Sequence, residues 1–210
     1  MNLDLKDKIY LVTGASQGIG RAIAKGFLEE GAKVAIIARK ELGVNQAVSE
    51  FIEEFGHGRI LGLIGDCSDP SNLSERIKEL EQTWGGLDGV VANVGDGRSV
   101  PDPVPNEKQW SQVWKTNFET ALITTRICLP FLQESQGSLL YISSITGLSV
   151  LGAPVDYSVA KTAVIALAQN LSRKAAPLVR VNVIAPGNII FPGGSWEEKV
   201  QSNPEAVESM

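Results

Sequence analysis

One run of residues, 9 to 37, constrains this chain more than any other. Ile9-Tyr10-Leu11-Val12 is an apolar, β-prone stretch, and Thr13-Gly14-Ala15-Ser16-Gln17-Gly18-Ile19-Gly20 follows it as a glycine-rich turn. From Arg21 to Glu30 the apolar residues recur at helical spacing, Gly31 stops the helix, and Val34-Ala35-Ile36-Ile37 is apolar again. Two apolar strands joined by an amphipathic helix make a βαβ crossover, which commits both strands to a parallel sheet covered on both faces. Gly14, Gly18 and Gly20 permit a tight turn and close backbone approach at the first strand–helix junction. The helix N-terminus there offers free N–H groups and the positive end of its dipole, a combination that suits a pyrophosphate. The alternative is that these glycines only punctuate a turn; their number and position favour dinucleotide binding.

The same alternation continues along the chain. Strands are expected near 8–13, 33–38, 59–64, 88–93, 138–143 and 179–184. Helices are expected near 18–30, 42–55, 71–84, 107–133 with a break near Lys115, and 155–175. This predicts an α/β fold: a single-domain, doubly wound Rossmann-type parallel sheet with helices on both faces and ligands outside the carboxyl ends of its strands. With 210 residues, 43% of them hydrophobic, one domain over 1–210 can bury a sizeable core. Two irregular stretches, Gly95 to Asn106 and Gly187 to Trp196, follow strands and should overhang the crevice, where loops often carry function. A net charge of −5 supplies no general attraction to nucleic acid or to an anionic membrane. The N-terminus has neither a signal-peptide pattern nor an 18-residue apolar span, so a cytoplasmic protein is expected. The two cysteines, Cys67 and Cys128, make no metal or disulfide framework; Cys128 reads as core, and His57, between glycines, as a surface turn.

A second constellation points to chemistry. Tyr157 and Lys161 lie four residues apart in an Ala-rich stretch with no proline until Pro177, so both occupy one helix face. A cation beside a phenol stabilises the phenolate and lowers its pKa, which suits proton exchange with a carbonyl oxygen. Taken alone the pair is weak evidence, because Tyr and Lys often share an exposed helix face. Ser144 lies upstream as a hydrogen-bond donor for the carbonyl oxygen, with Ser143 as its competitor. The end of the second strand reads Ala38-Arg39-Lys40, where NAD-binding folds carry an acid for the ribose hydroxyls. Arg39 can fork onto a 2′-phosphate, so NADP(H) is expected over NAD(H). A solvated strand-end Arg39 is the alternative.

Taken together, Thr-Gly-x-x-x-Gly-Ile-Gly near the N-terminus with Ser144, Tyr157 and Lys161 later resembles the short-chain dehydrogenase/reductase family. The likeness is greatest to single-domain members such as the 3-oxoacyl-acyl-carrier-protein reductases, and it runs end to end. Ala92-Asn93-Val94-Gly95 stands where the family has Asn-Asn-Ala-Gly. The resemblance implies a catalytic set of Asn117, Ser144, Tyr157 and Lys161, with Asn117 holding a water that links Lys161 to solvent. It implies cofactor contacts along Gly14, Ser16, Gln17, Gly18, Ile19 and Gly20, and at Arg39. Further contacts are implied at Asp66 beside the adenine, at Cys67, Asn93 and Gly95, at Tyr157 and Lys161, and at Pro186, Gly187 and Ile189. Phe191 replaces the family's usual Thr after Pro186-Gly187. The family also continues past this point with a helix and a seventh, edge-forming strand, which this chain is expected to lack; residues 188–210 resemble a substrate-loop segment. The expected activity is reduction of a ketone or 3-oxoacyl group, by a homodimer or homotetramer. A non-catalytic NADP-binding or sensor protein, and more remotely an epimerase or dehydratase, are the competing readings.

Overall fold

Because the central strands are buried on both faces, the backbone must spend its hydrogen bonds on neighbouring strands, and the strands assemble into one parallel sheet. The computed structural model describes residues 3–202 and 204. Among these residues the sheet has six strands: β1 (Ile9–Thr13), β2 (Lys33–Ala38), β3 (Ile60–Ile64), β4 (Gly89–Ala92), β5 (Ser138–Ile142) and β6 (Arg180–Ile184). They lie in the order β3-β2-β1-β4-β5-β6, each pair parallel. The order reverses between β1 and β4, and such a switch point opens a crevice at the carboxyl ends of its strands.

Alternation along the strands feeds two cores. Leu11, Ala35, Ile37 and Leu139 face one side, with α3 (Pro70–Trp84), α5 (Thr120–Ser135) and α6 (Val155–Ala175) packed over them. Val12, Val34 and Ile36 face the other side, under α1 (Gly18–Glu29) and α2 (Glu41–Phe55). Cys128 is fully buried in the first core, and His57 is exposed in a turn. Asp69 caps α3 by accepting from the Ser71 and Asn72 N–H groups, with Pro70 at the first helical position.

The expected break near Lys115 is not a break. The helix α4 (Glu107–Trp114) passes into α5 through a π turn, Lys115–Glu119. No glycine or proline stops the helix there, so the wider turn absorbs the irregularity and the chain stays helical. A short helix, α7 (Ser195–Ser202), follows the loop after β6. Residues 203 and 205–210, part of the expected substrate-loop segment, lie outside the described residues. Among the described residues no helix is long and apolar enough to cross a membrane.

Candidate active site

The glycine-rich turn sits where the switch point requires it. Gly14 and Gly18 hold φ of 64° and 59°, backbone angles that a side chain would strain. The first turn of α1 has no side-chain cap, which leaves its N–H groups for an anion. Thr13 and Asn93 fasten this turn to the end of β4. Thr13 Oγ1 accepts the Asn93 N–H at 2.9 Å, and Asn93 Nδ2 donates to the carbonyls of Thr13 and Gly14 at 2.9 and 3.2 Å. The carboxamide protons of Asn93 therefore brace the turn.

At the far end of the crevice, Arg39 and Lys40 are exposed after β2, opposite Asp66 after β3. Burial works to raise the Asp66 carboxyl. The Ser68 N–H and hydroxyl, which donate to it at 2.8 and 2.7 Å, and the charges of Arg39 and Lys115 outweigh that and hold it below the usual range. Arg39 and Lys115 are thus neighbours of the same carboxylate from opposite walls. Burial pushes the Cys67 thiol up to about 12, and its side chain belongs to the core, so only its backbone is available to a ligand.

The candidate catalytic end is built by β5 gripping α6. Ser143 Oγ donates to the Lys161 carbonyl at 2.8 Å, and Lys161 Nζ donates to the Ile142 carbonyl at 3.1 Å. Ser143 is thereby committed to positioning. Ser144 is the serine near enough to the phenol to lower its pKa, and its hydroxyl accepts from Thr146 N–H and Oγ1 at 3.2 and 3.0 Å. Lys161 is buried, and loss of hydration pushes its ammonium down to about 8. Its Nζ lies 5.9 Å from the centre of the Tyr157 ring.

The expected depression of Tyr157 by Lys161 is reversed. Burial raises the Tyr157 phenol, the Ser144 hydrogen bond pulls it back in part, and the Asp96 carboxylate raises it further. A desolvated ammonium one turn away does not offset the loss of water around the phenol. Tyr157 consequently holds its proton at neutral pH.

Asn117 lies in the π turn and is buried. Its Oδ1 accepts the Asp96 N–H at 2.9 Å, and its Nδ2 donates to the carbonyls of Asp96 and Val113, both at 3.0 Å. With both amide protons spent, only oxygen lone pairs remain to hold the expected water. Gly95 is required here: a Cβ would lie 2.7 Å from Lys161 Nζ and 3.0 Å from Asn117 Oδ1.

The crevice, about 700 Å³, brings together the turn from Gly14 to Ile19, Arg39, Asp66, Cys67, Asn93, Gly95, Asn117, Tyr157 and Lys161. That volume and the anion-ready turn fit a dinucleotide. Gly20, Ser144, Pro186, Gly187 and Ile189 do not border it. Gly20 instead packs under Asn93, whose Nδ2 would lie 2.5 Å from a Cβ there. The carbonyl of Pro186 receives the Ile145 N–H at 3.0 Å, and Ile189 turns to solvent. Phe191 does border the crevice, its ring so close to Gly18 that a Cβ there would meet it at 2.7 Å. Sequence reasoning missed Thr13, the last residue of β1, and Asp96, in the loop after β4; both border or brace the switch point, a position that could have flagged them.

This fold and site are those of a nicotinamide-dependent oxidoreductase acting on CH–OH and C=O groups, and the chain belongs to the short-chain dehydrogenase/reductase family. The family's profile, described as short chain dehydrogenase, matches residues 8–193. The chain is 34% identical over 209 residues to the uncharacterized oxidoreductase YvrD of Bacillus subtilis, covering 99% of this chain and 76% of that protein. It is 31% identical over 189 residues to the 3-oxoacyl-[acyl-carrier-protein] reductase FabG of Escherichia coli, covering 89% and 75%. Among solved structures, the L-sorbose reductase of Gluconobacter frateurii, complexed with NADPH and L-sorbose, superposes with a TM-score of 0.87. It is 28% identical, with 96% of this chain and 82% of that one covered.

Proposed function

We propose that this protein is an NADPH-preferring carbonyl reductase in which Tyr157 is the general acid. The observation that carries the reading is the half-buried Tyr157 phenol, which keeps its proton, with Ser144 beside it and the buried Lys161 ammonium 5.9 Å from its ring centre. When bound, NADPH supplies the hydride that reaches the carbonyl carbon. Ser144 orients the carbonyl oxygen by a hydrogen bond, and Tyr157 Oη gives that oxygen its proton. Lys161, held by Ile142, presents a charge toward the cofactor ribose and the Tyr157 oxygen, and Asn117 keeps a water within reach for proton resupply. The pyrophosphate is assigned to the Gly14–Ile19 turn, and the 2′-phosphate to Arg39 with Lys40 beside it. The solved relative that holds NADPH supports this cofactor choice. The whole of 1–210 acts as one domain, with 188–210 its substrate segment, and the protein works as a cytoplasmic homodimer or homotetramer.

The test is Tyr157→Phe, which removes the proton donor and keeps the ring. NADPH binding should persist, while turnover with a reducible ketone falls about 10²–10⁴-fold or more. Unchanged turnover would remove Tyr157 from the mechanism. Tight NADPH binding by the unmodified protein, with no carbonyl reduced, would favour the sensor reading.

A further inference from the structure

The wall beside Tyr157 says what the rest of the substrate must be, given the carbonyl reduction proposed above. The loop after β4 is fixed by backbone bonds: the Asp96 N–H and carbonyl both pair with the Asn117 carboxamide. One residue on, a Cβ at Gly97 would lie 3.7 Å from Tyr157 Cζ, so this loop flanks the phenol itself. The Asp96 side chain, about half exposed, borders the crevice from this loop, and its charge is felt at the Tyr157 phenol. Its Oδ1 accepts the Arg98 N–H at 3.0 Å and the Arg98 guanidinium at 3.3 Å. Among the described residues nothing donates to its Oδ2, which is left for a ligand. Arg98 is in turn held by Glu198 of α7 at 2.8 Å, so its charge is answered on both sides.

We propose that Asp96, held by Arg98, is the specificity-determining residue, and that the substrate is a neutral ketone bearing hydroxyl groups beside its carbonyl. A hydroxyl can donate to Oδ2, whereas an alkyl chain laid there would strip water from a carboxylate and give nothing back. An anionic group laid beside the Asp96 carboxylate meets a like charge in place of a donor. Leu148, Val150 and Leu151, the apolar side chains that follow Ser144, are exposed to solvent.

Steady-state NADPH oxidation tests this with dihydroxyacetone and a ketohexose, alkyl ketones of matching size, a 3-oxoacyl thioester of coenzyme A, and a vicinal diketone as a readily reduced control. The hydroxylated ketones should exceed the alkyl ketones and the thioester in kcat/KM by about 10- to 100-fold, the range of one hydrogen bond to a charged group. Asp96→Leu should collapse that ratio, chiefly through KM, and Asp96→Asn, which keeps an acceptor oxygen, should retain part of it. Both variants preserve the backbone bonds to Asn117, and NADPH binding reports that the fold is intact. A preference for the thioester or alkyl ketones, or a ratio indifferent to Asp96→Leu, overturns this assignment and leaves the reductase reading standing. Failure to reduce even the diketone overturns both.

Discussion

Tyr157 and Lys161, the two residues at the proposed chemical centre, are tuned by burial more than by each other. Lys161 falls to about 8 from an ordinary lysine value of 10.5, because its ammonium is out of water with one carbonyl for a partner. Between those two values the unfolded chain binds more protons than the folded one, so this residue makes stability rise with pH across that window. Below about 8 the full cost of the buried charge remains. Lys161→Met should therefore change stability most at pH 7, and the difference from wild type should shift steadily between pH 8 and 10.5, by up to roughly 3 kcal/mol. Loss of the Ile142 hydrogen bond moves the level of that difference but not its slope. Urea midpoints at several pH values read it, and a difference independent of pH would show that Lys161 carries no buried charge. At the other end of the crevice, Arg39→Ala should erase a preference for NADPH over NADH of about 1.5–3 kcal/mol. Equal dissociation constants for the two cofactors in the unmodified protein would end that assignment.

At the scale of elements, the π turn and the segment before α7 matter most. The π turn aims the Asn117 carboxamide at Asp96 and Val113, which locks the loop after β4 to the helix that follows it. The segment from Asn188 to Ser202 is held more lightly. Phe191 rests on Gly18, the Gly194 N–H bonds the Phe191 carbonyl at 2.9 Å, and Arg98 pairs with Glu198. That ion pair is half exposed, and such pairs contribute about 1 kcal/mol or less. An eight-residue helix has little stability of its own. A segment so weakly held, starting at the rim of the crevice, is suited to open and close over it. Amide exchange across 188–202 should slow when NADPH and a substrate analogue bind together. Trp196, stacked on Lys199 at 4.5 Å, should change its fluorescence relative to a Trp196→Phe control. Exchange equally fast with and without both ligands would show that the segment is no lid.

For the whole molecule, assembly depends on which face of α6 is free. Of the small residues that make this helix slim, Ala160 and Ala168 are buried against the protein's own sheet. Val155, Val159, Thr162 and Ala166 stay exposed at helical spacing, a narrow stripe along which a second copy of the helix can approach closely. Ile123 and Ile127 on α5 are partly buried against the core, leaving less of that helix to offer. Light scattering at micromolar concentration should report at least a dimer, and Ala166→Arg, which places a charge in the middle of the stripe, should yield monomers. A wild-type monomer at that concentration would refute the dimer.

Much of this architecture was legible in the residues themselves. The six strands fell within a residue or two of their expected spans, because apolar runs between glycine and proline punctuation have few other ways to bury themselves. The glycine turn and the pairing of Tyr157 with Lys161 on one helix were equally local facts, since backbone angles and helical spacing decide them. What local pattern could not decide was environment. Whether Lys161 would tune Tyr157, or be silenced by its own burial, depends on how much water the closed sheet and helix leave around them. Which of two adjacent serines faces the phenol depends on how β5 enters the turn before α6. That the Asn117 carboxamide would both donate to and accept from the Asp96 backbone, and so fix the loop after β4, required residues 21 apart to meet. Desolvation and long-range hydrogen bonds arise only when distant segments pack, so these features belong to the tertiary structure alone.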